Sequence, residues 1–177
     1  KEFAKKGGLL EGIQLWVNLP KAFKMTAPRY QTLVDAEIPA VELEGGAGRL
    51  RVIAGEFRGV RGPAKTFSPV HLYDVRLAAG HKTELVLPEG FNSALFVLHG
   101  QVVVNGSRAV EEVEIALFGQ RGERVLLEAK QDATLLVLSG EPIAEPVARY
   151  GPFVMNTRDE IIQAVHDYQA GKMGHLS

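Results

Sequence analysis

Cysteine is absent from all 177 residues. Disulfides, thiolate nucleophiles and zinc–thiolate sites are therefore excluded, and the expectation is a cytoplasmic setting. An excess of one charge is also lacking: 20 basic residues stand against 21 acidic ones, for a net charge of -1. Without a basic patch the chain offers no electrostatic footprint for nucleic acid or an anionic membrane, so direct contact with either is not expected. No run reaches about 18 apolar residues, which argues against a membrane-spanning helix. The opening "KEFAKKGGLLEG" has no long apolar core and does not read as a secretion signal. It also lacks an initiating methionine, so the chain is expected to begin partway through a longer protein. No phosphate-binding G-x-x-x-x-G-K-[ST] loop occurs, and "GGAGRL" at 45–50 leads into a β pattern, which makes it a turn. The five serines, Ser68, Ser93, Ser107, Ser139 and Ser177, fall outside any G-x-S-x-G, which argues against an elbow-type hydrolase.

What is present is apolar residue at 46%, enough for a sizeable core, arranged with a period of two. In "GIQLWVNLP", residues 12–20, Ile13, Leu15, Val17 and Leu19 alternate with Gln14, Trp16 and Asn18. That predicts a strand with one buried face, ended by Pro20. "KAFKMTAPRYQTL" after it reads as a linker. Further strands are predicted at 38–43, 49–54, 70–77, 83–87, 94–104, 110–117, 123–128 and 133–138. Asn105-Gly106 is the strongest hairpin signal between them. Many short strands separated by such turns indicate an all-β sandwich or barrel. "GEPIAEPVARYGP" at 140–152 holds three prolines and should leave the barrel as an extended segment. A single helix follows, predicted from Arg158 to about Ala170. Thr157 and Glu160 have the spacing of a capping box, Asp159 and Glu160 suit the positive end of the helix dipole, and Gly171 suits the exit. Its apolar stripe is Ile161, Ile162, Val165 and Tyr168.

"YGPFVMNTRDEIIQAVHDYQAGKMG" resembles the C-terminal signature of the pirin family. "EGIQLWVNLPKAFKMTAPRYQ" resembles that family's interdomain region, and "SPVHLYDVRLAAGHKTELVLPEGFNSALFVLHGQVVVNG" resembles its second cupin domain. The resemblance implies a mainly β, cupin-type double-stranded β-sandwich (a jelly roll) with a C-terminal α-helix. It implies a bicupin protein whose N-terminal cupin holds non-haem iron on three His and one Glu, while the C-terminal cupin holds none. Some members cleave flavonols as quercetin 2,3-dioxygenases, and mammalian members act as transcription cofactors. Matched to this sequence, residues 1–20 would be a terminal strand of the N-terminal cupin, 21–33 the linker, 34–148 the metal-free C-terminal cupin, and 149–177 a tail strand and helix docking on the N-terminal cupin. The chain alone would then be inactive, supporting an iron site it does not contain. Its partner would be the N-terminal cupin half or a second chain. The alternative is a non-catalytic module binding a regulatory protein.

A cupin metal site needs imidazoles and a carboxylate converging inside the barrel. The cupin pattern places such ligands before a strand like "LFVLHG", 95–100, but there the chain has Phe91, Asn92 and Ser93. No histidine occurs where the second motif would place one, in "KQDATLL". No cofactor is therefore expected in this chain, and iron is expected in the N-terminal cupin. The residues left as candidate ligands are His71, His81, Glu84 and His99. His71 alternates with Tyr73, Val75 and Leu77, which makes it a core or rim histidine before it is a ligand. His166 reads as solvated, and His175 lies in the tail. The candidate interface residues are Trp16, Ile161, Ile162, Val165 and Tyr168.

Overall fold

The computed structural model describes residues 6–8 and 11–173. His175 lies outside the described residues. Fourteen strands and one α-helix follow each other in the described chain. A six-stranded sheet has the order β1 (Ala40–Leu43), β2 (Gly48–Ala54), β5 (Val70–Leu77), β12 (Ala133–Gly140), β7 (Asn92–His99) and β10 (Ile115–Leu117). A four-stranded sheet has the order β6 (Lys82–Val86), β11 (Arg124–Ala129), β8 (Val102–Val104) and β9 (Arg108–Val110). All pairings are antiparallel. Two short hairpins complete the set: β3 (Glu56–Phe57) with β4 (Val60–Arg61), and β13 (Ala148–Tyr150) with β14 (Phe153–Met155). The sheets do not close into one barrel; β1 and β10 are the edges of the large sheet, and β6 and β9 those of the small one.

The period-two pattern explains the layers. Leu50, Val52, Tyr73, Val75, Leu95, Val97, Leu135 and Val137 point inward from the large sheet, and Leu85, Val102 and Leu127 from the small one; all are essentially inaccessible. Each such aliphatic side chain contributes about 1.5–3 kcal/mol on leaving water. This is a jelly-roll core filled by side chains.

Three sequence expectations are corrected here. Residues 12–20 form no strand: they run extended without a ladder partner, and Ile13, Leu15 and Val17 stay 45%, 41% and 62% exposed. Alternation supplies a strand's side chains, but a strand also requires a neighbouring backbone, and none pairs with this segment among the described residues. The run 94–104 is two strands, β7 and β8, in different sheets. Gly100 breaks it at φ 83, where an added Cβ would lie 2.2 Å from the Asp132 carbonyl oxygen. The run 110–117 is likewise divided, with Val113 at φ 66 between β9 and β10. A β-branched residue there is under strain.

Asn105 and Gly106, both at positive φ (50 and 66), lie with Ser107 in the three-residue loop that joins β8 to β9. The helix, α1, spans Arg158–Gln169. The Thr157 hydroxyl accepts from the Glu160 amide at 3.2 Å, and the Glu160 carboxylate accepts from the Thr157 and Asn156 amides at 2.9 Å each. Among the described residues, no helix is long and apolar enough to cross a membrane.

Candidate functional site

The unpaired segment from Glu11 to Pro20 lies along the outer side of the six-stranded sheet. Leu72 and Leu138, which alternate with the inward Tyr73 and Val137, share a groove with Leu15, Trp16 and Val17. At the other end of the segment, Glu11 meets His99 at 3.3 Å. The groove encloses about 490 Å³, and its charged lining is two carboxylates, Glu141 and Glu145. Trp16 forms one wall and is 71% exposed.

His71 and Ser139, near the end of the sheet, also line the groove and belong to a row of polar side chains. In the ladder, Ser139 of β12 stands opposite His71 of β5 on one side and Ser93 of β7 on the other. The Ser93 hydroxyl donates to Ser139 at 2.8 Å. His71 Nδ1 lies 2.7 Å from the Tyr73 hydroxyl, which donates to the Glu56 carbonyl at 2.6 Å. Burial pushes the His71 imidazole below its usual pKa, so it is held neutral. Burial, and next the charge of Glu56, push the Tyr73 phenol up to about 12. Gly55, at φ 77, lets the backbone close on the imidazole, since a Cβ there would sit 2.5 Å from Nδ1. The row therefore caps the apolar core with a rigid, fully neutral set of hydrogen-bonding groups.

A second groove lies along α1, which packs on the β13–β14 hairpin. Ile161 and Ala164 are buried there. Ile162, 48% exposed, and half-buried Val165 line the groove with Ala148 and Tyr150. Tyr168 meets Phe153 edge-on at 6.0 Å between ring centres, yet it is largely exposed. So the predicted interface set divides: Ile161 is used within the chain, while Trp16, Ile162 and Tyr168 face outward and Val165 is intermediate. Lys21 ties this unit to the extended segment through Glu160, at 2.9 Å. The hydrogen bond to Glu160 and then its charge raise the Lys21 pKa, and Lys21, followed by the Asn156 amide, lowers that of Glu160.

The four candidate ligands lie apart. His71 is level with Ser139 and His99 with Thr134, five residues along β12, or about 17 Å. His81 bonds the Ala79 carbonyl at 3.1 Å, and Glu84 pairs with Arg124 at 2.9 Å. Among the described residues, no three ligating side chains converge. The core between the sheets is apolar, and the four candidates do not converge on it as a ligand set. Sequence reading missed the partnership of His71 with Tyr73, Ser93 and Ser139. Alternation signals that His71 and Tyr73 share a face, but Ser93 and Ser139 join them only through pairings distant in sequence.

Two facing antiparallel sheets with a polar row at one mouth define a jelly roll of the cupin class. Residues 72–174 match the pirin C-terminal cupin domain, and the chain belongs to the pirin family. A Pseudomonas aeruginosa protein, provisionally named a quercetin 2,3-dioxygenase, is 51% identical over 172 residues, covering 97% of this chain and 60% of that protein. Pirin of Mus musculus is 38% identical over 168 residues, covering 92% and 57%. The crystal structure of a quercetin 2,3-dioxygenase from Acinetobacter baumannii superposes with a TM-score of 0.86 at 42% identity, over 92% of this chain and 56% of that one. The chain thus spans 57–60% of the length of these two curated relatives.

Proposed function

We propose that this chain is the metal-free cupin of a pirin-type two-cupin protein, and that it supports an iron-dependent dioxygenase of the quercetinase type whose iron is held by a second, N-terminal cupin. The observation that carries this reading is the outward apolar surface. Trp16 and Val17 project from a segment without a ladder partner, and Ile162 and Val165 line an open groove beside α1. Apolar surface in two places on one small domain suits burial against another domain. The names of the relatives supply the reaction class, and the scattered imidazoles favour a ligand set elsewhere. No catalytic step is assigned to the residues of this chain.

The test is reconstitution. The portion of the Pseudomonas aeruginosa relative that this chain does not cover is loaded with iron, then mixed with the chain. Co-purification and oxygen uptake with quercetin are measured. The expected result is a stable complex whose turnover exceeds that of the loaded portion alone. Ile162→Asp would weaken association by placing a charge in an apolar contact. Oxygen uptake by this chain alone, or failure to associate, would overturn the proposal. A stable complex without turnover would instead favour the protein-binding, co-regulator role.

A further inference from the structure

We infer that the free edge of β10 pairs with the β10 of a second copy of this chain, antiparallel and about a two-fold axis at Ala116, so that two large sheets join into one. The inference goes beyond the function proposed above and does not depend on it. Trp16, Val17, Ile162 and Val165 do not line this edge.

Four strands end the two sheets: β1 and β10, β6 and β9. An uncovered edge invites another strand, and charged side chains or proline discourage it. Three of these edges are protected in that way. β1 follows Pro39 and carries the exposed Glu42. β6 carries Lys82 and Glu84, ion-paired to Glu128 and Arg124. β9 begins at the exposed Arg108. β10 has neither charge nor proline, and its Ile115 and Leu117 are 55% and 76% exposed. The adjoining acid is turned back on its own loop, where the Glu114 carboxylate accepts from the Glu111 amide at 2.9 Å.

The ladder to β7 fixes which backbone groups remain. The Val97 amide donates to the Glu114 carbonyl and the Phe118 amide to the Ser93 carbonyl, each at 3.0 Å. In an antiparallel pair, alternate residues bond one neighbour and those between them face away. Glu114, Ala116 and Phe118 therefore bond β7, and the amides and carbonyls of Ile115 and Leu117 face the open side. An axis at Ala116 sets Ile115 opposite Leu117 of the copy, and Leu117 opposite its Ile115. Both pairs then exchange hydrogen bonds. An axis at Ile115 or at Leu117 sets that residue opposite itself and halves the bonds. The Ala116 register also stacks aliphatic on aliphatic, puts the small alanine at the closest approach of the backbones, and sets Glu114 against Phe118 rather than against another carboxylate. The edge is thus self-complementary, as an interface between two identical surfaces requires. Beside it, Arg108 and Val110 of β9 share with Ala116 and Phe118 a groove of about 500 Å³, which the second copy would cover.

The chain has no cysteine, so an introduced thiol is unique. Sedimentation equilibrium, run from low micromolar to submillimolar chain, should show a monomer–dimer equilibrium. Leu117→Lys, at a position outside the core, should weaken association at least about tenfold by placing a charge in the apolar pair, with its circular-dichroism melt showing that the fold is kept. In Ala116→Cys the two thiols face each other at the shorter cross-strand separation, within disulfide reach. Under mild oxidation this variant should crosslink at least about tenfold faster than Val86→Cys, which puts a thiol on the exposed β6 edge. A monomer at every concentration overturns the inference and leaves the edge to a strand of another protein. Association that Leu117→Lys does not change, or crosslinking of Ala116→Cys no faster than that of Val86→Cys, overturns it equally.

Discussion

Tyr73 joins the core to the polar row. Its ring is buried against Phe57 at 5.7 Å, while its hydroxyl links the Glu56 carbonyl to His71. Tyr73→Phe keeps the packing and leaves both partners unsatisfied, so it should cost about 1–3 kcal/mol in urea unfolding. The pH dependence follows from the same burial. The phenol titrates near 10.0 when exposed and at about 12 here, so the unfolded chain releases its proton first. This contribution to stability is complete below pH 10 and is lost as pH rises from 10 towards 12. Tyr73→Phe should remove that loss from the alkaline limb of a stability profile. The His71 imidazole, lowered from 6.5, acts at the other end: the unfolded chain takes up its proton first, and stability falls as pH drops below 6.5. At this scale the sequence is only half legible. The alternation 71, 73, 75, 77 announces a shared face, but nothing in it announces Ser139, more than sixty positions away.

The elements divide by how local their determinants are. α1 is readable because its signals lie within one turn: Thr157 and Glu160 bond reciprocally, and Asp159 and Glu160 sit at the positive end of the dipole. Thr157→Ala should therefore cost about 1 kcal/mol, measured as a lower thermal midpoint. The Glu160 carboxylate, held below its ordinary 4.5 by Lys21 and two backbone amides, stabilises the cap above that value. The contribution disappears as pH falls below 4.5, and Glu160→Gln should remove that acid limb from the stability profile. Segment 12–20 shows the opposite case. Its alternation is as regular as that of β5, yet β5 has neighbours on both sides and the segment has none among the described residues. Gly100 marks a third kind of signal. Sequence shows a glycine inside an apolar run, and only the approach of the Asp132 carbonyl explains why the run must break there.

For the whole molecule, the cupin architecture follows from many short strands with polar turns, and from the motifs shared with the pirin family. The order of the sheets does not follow from such local patterns, because β5 and β7 both lie against β12, which comes later in the chain. That order also separates His71 from His99. Purified in iron-supplemented medium, the chain should carry far less than one iron per polypeptide by elemental analysis, and His71→Ala should not change that amount. A value near one would mean that the imidazoles gather in a way the described arrangement does not show. The placement of β12 has a further consequence, in the kinetics of folding. Val70 pairs with Gly140 and Leu77 with Ala133, so the large sheet cannot be completed until the distant β12 arrives. Closing such long loops costs chain entropy before any core contact compensates for it, which sets refolding on the millisecond-to-second scale typical of non-local β topologies. Substitutions at Leu135 and Val137 should then slow refolding, whereas Thr157→Ala should act chiefly on the unfolding rate.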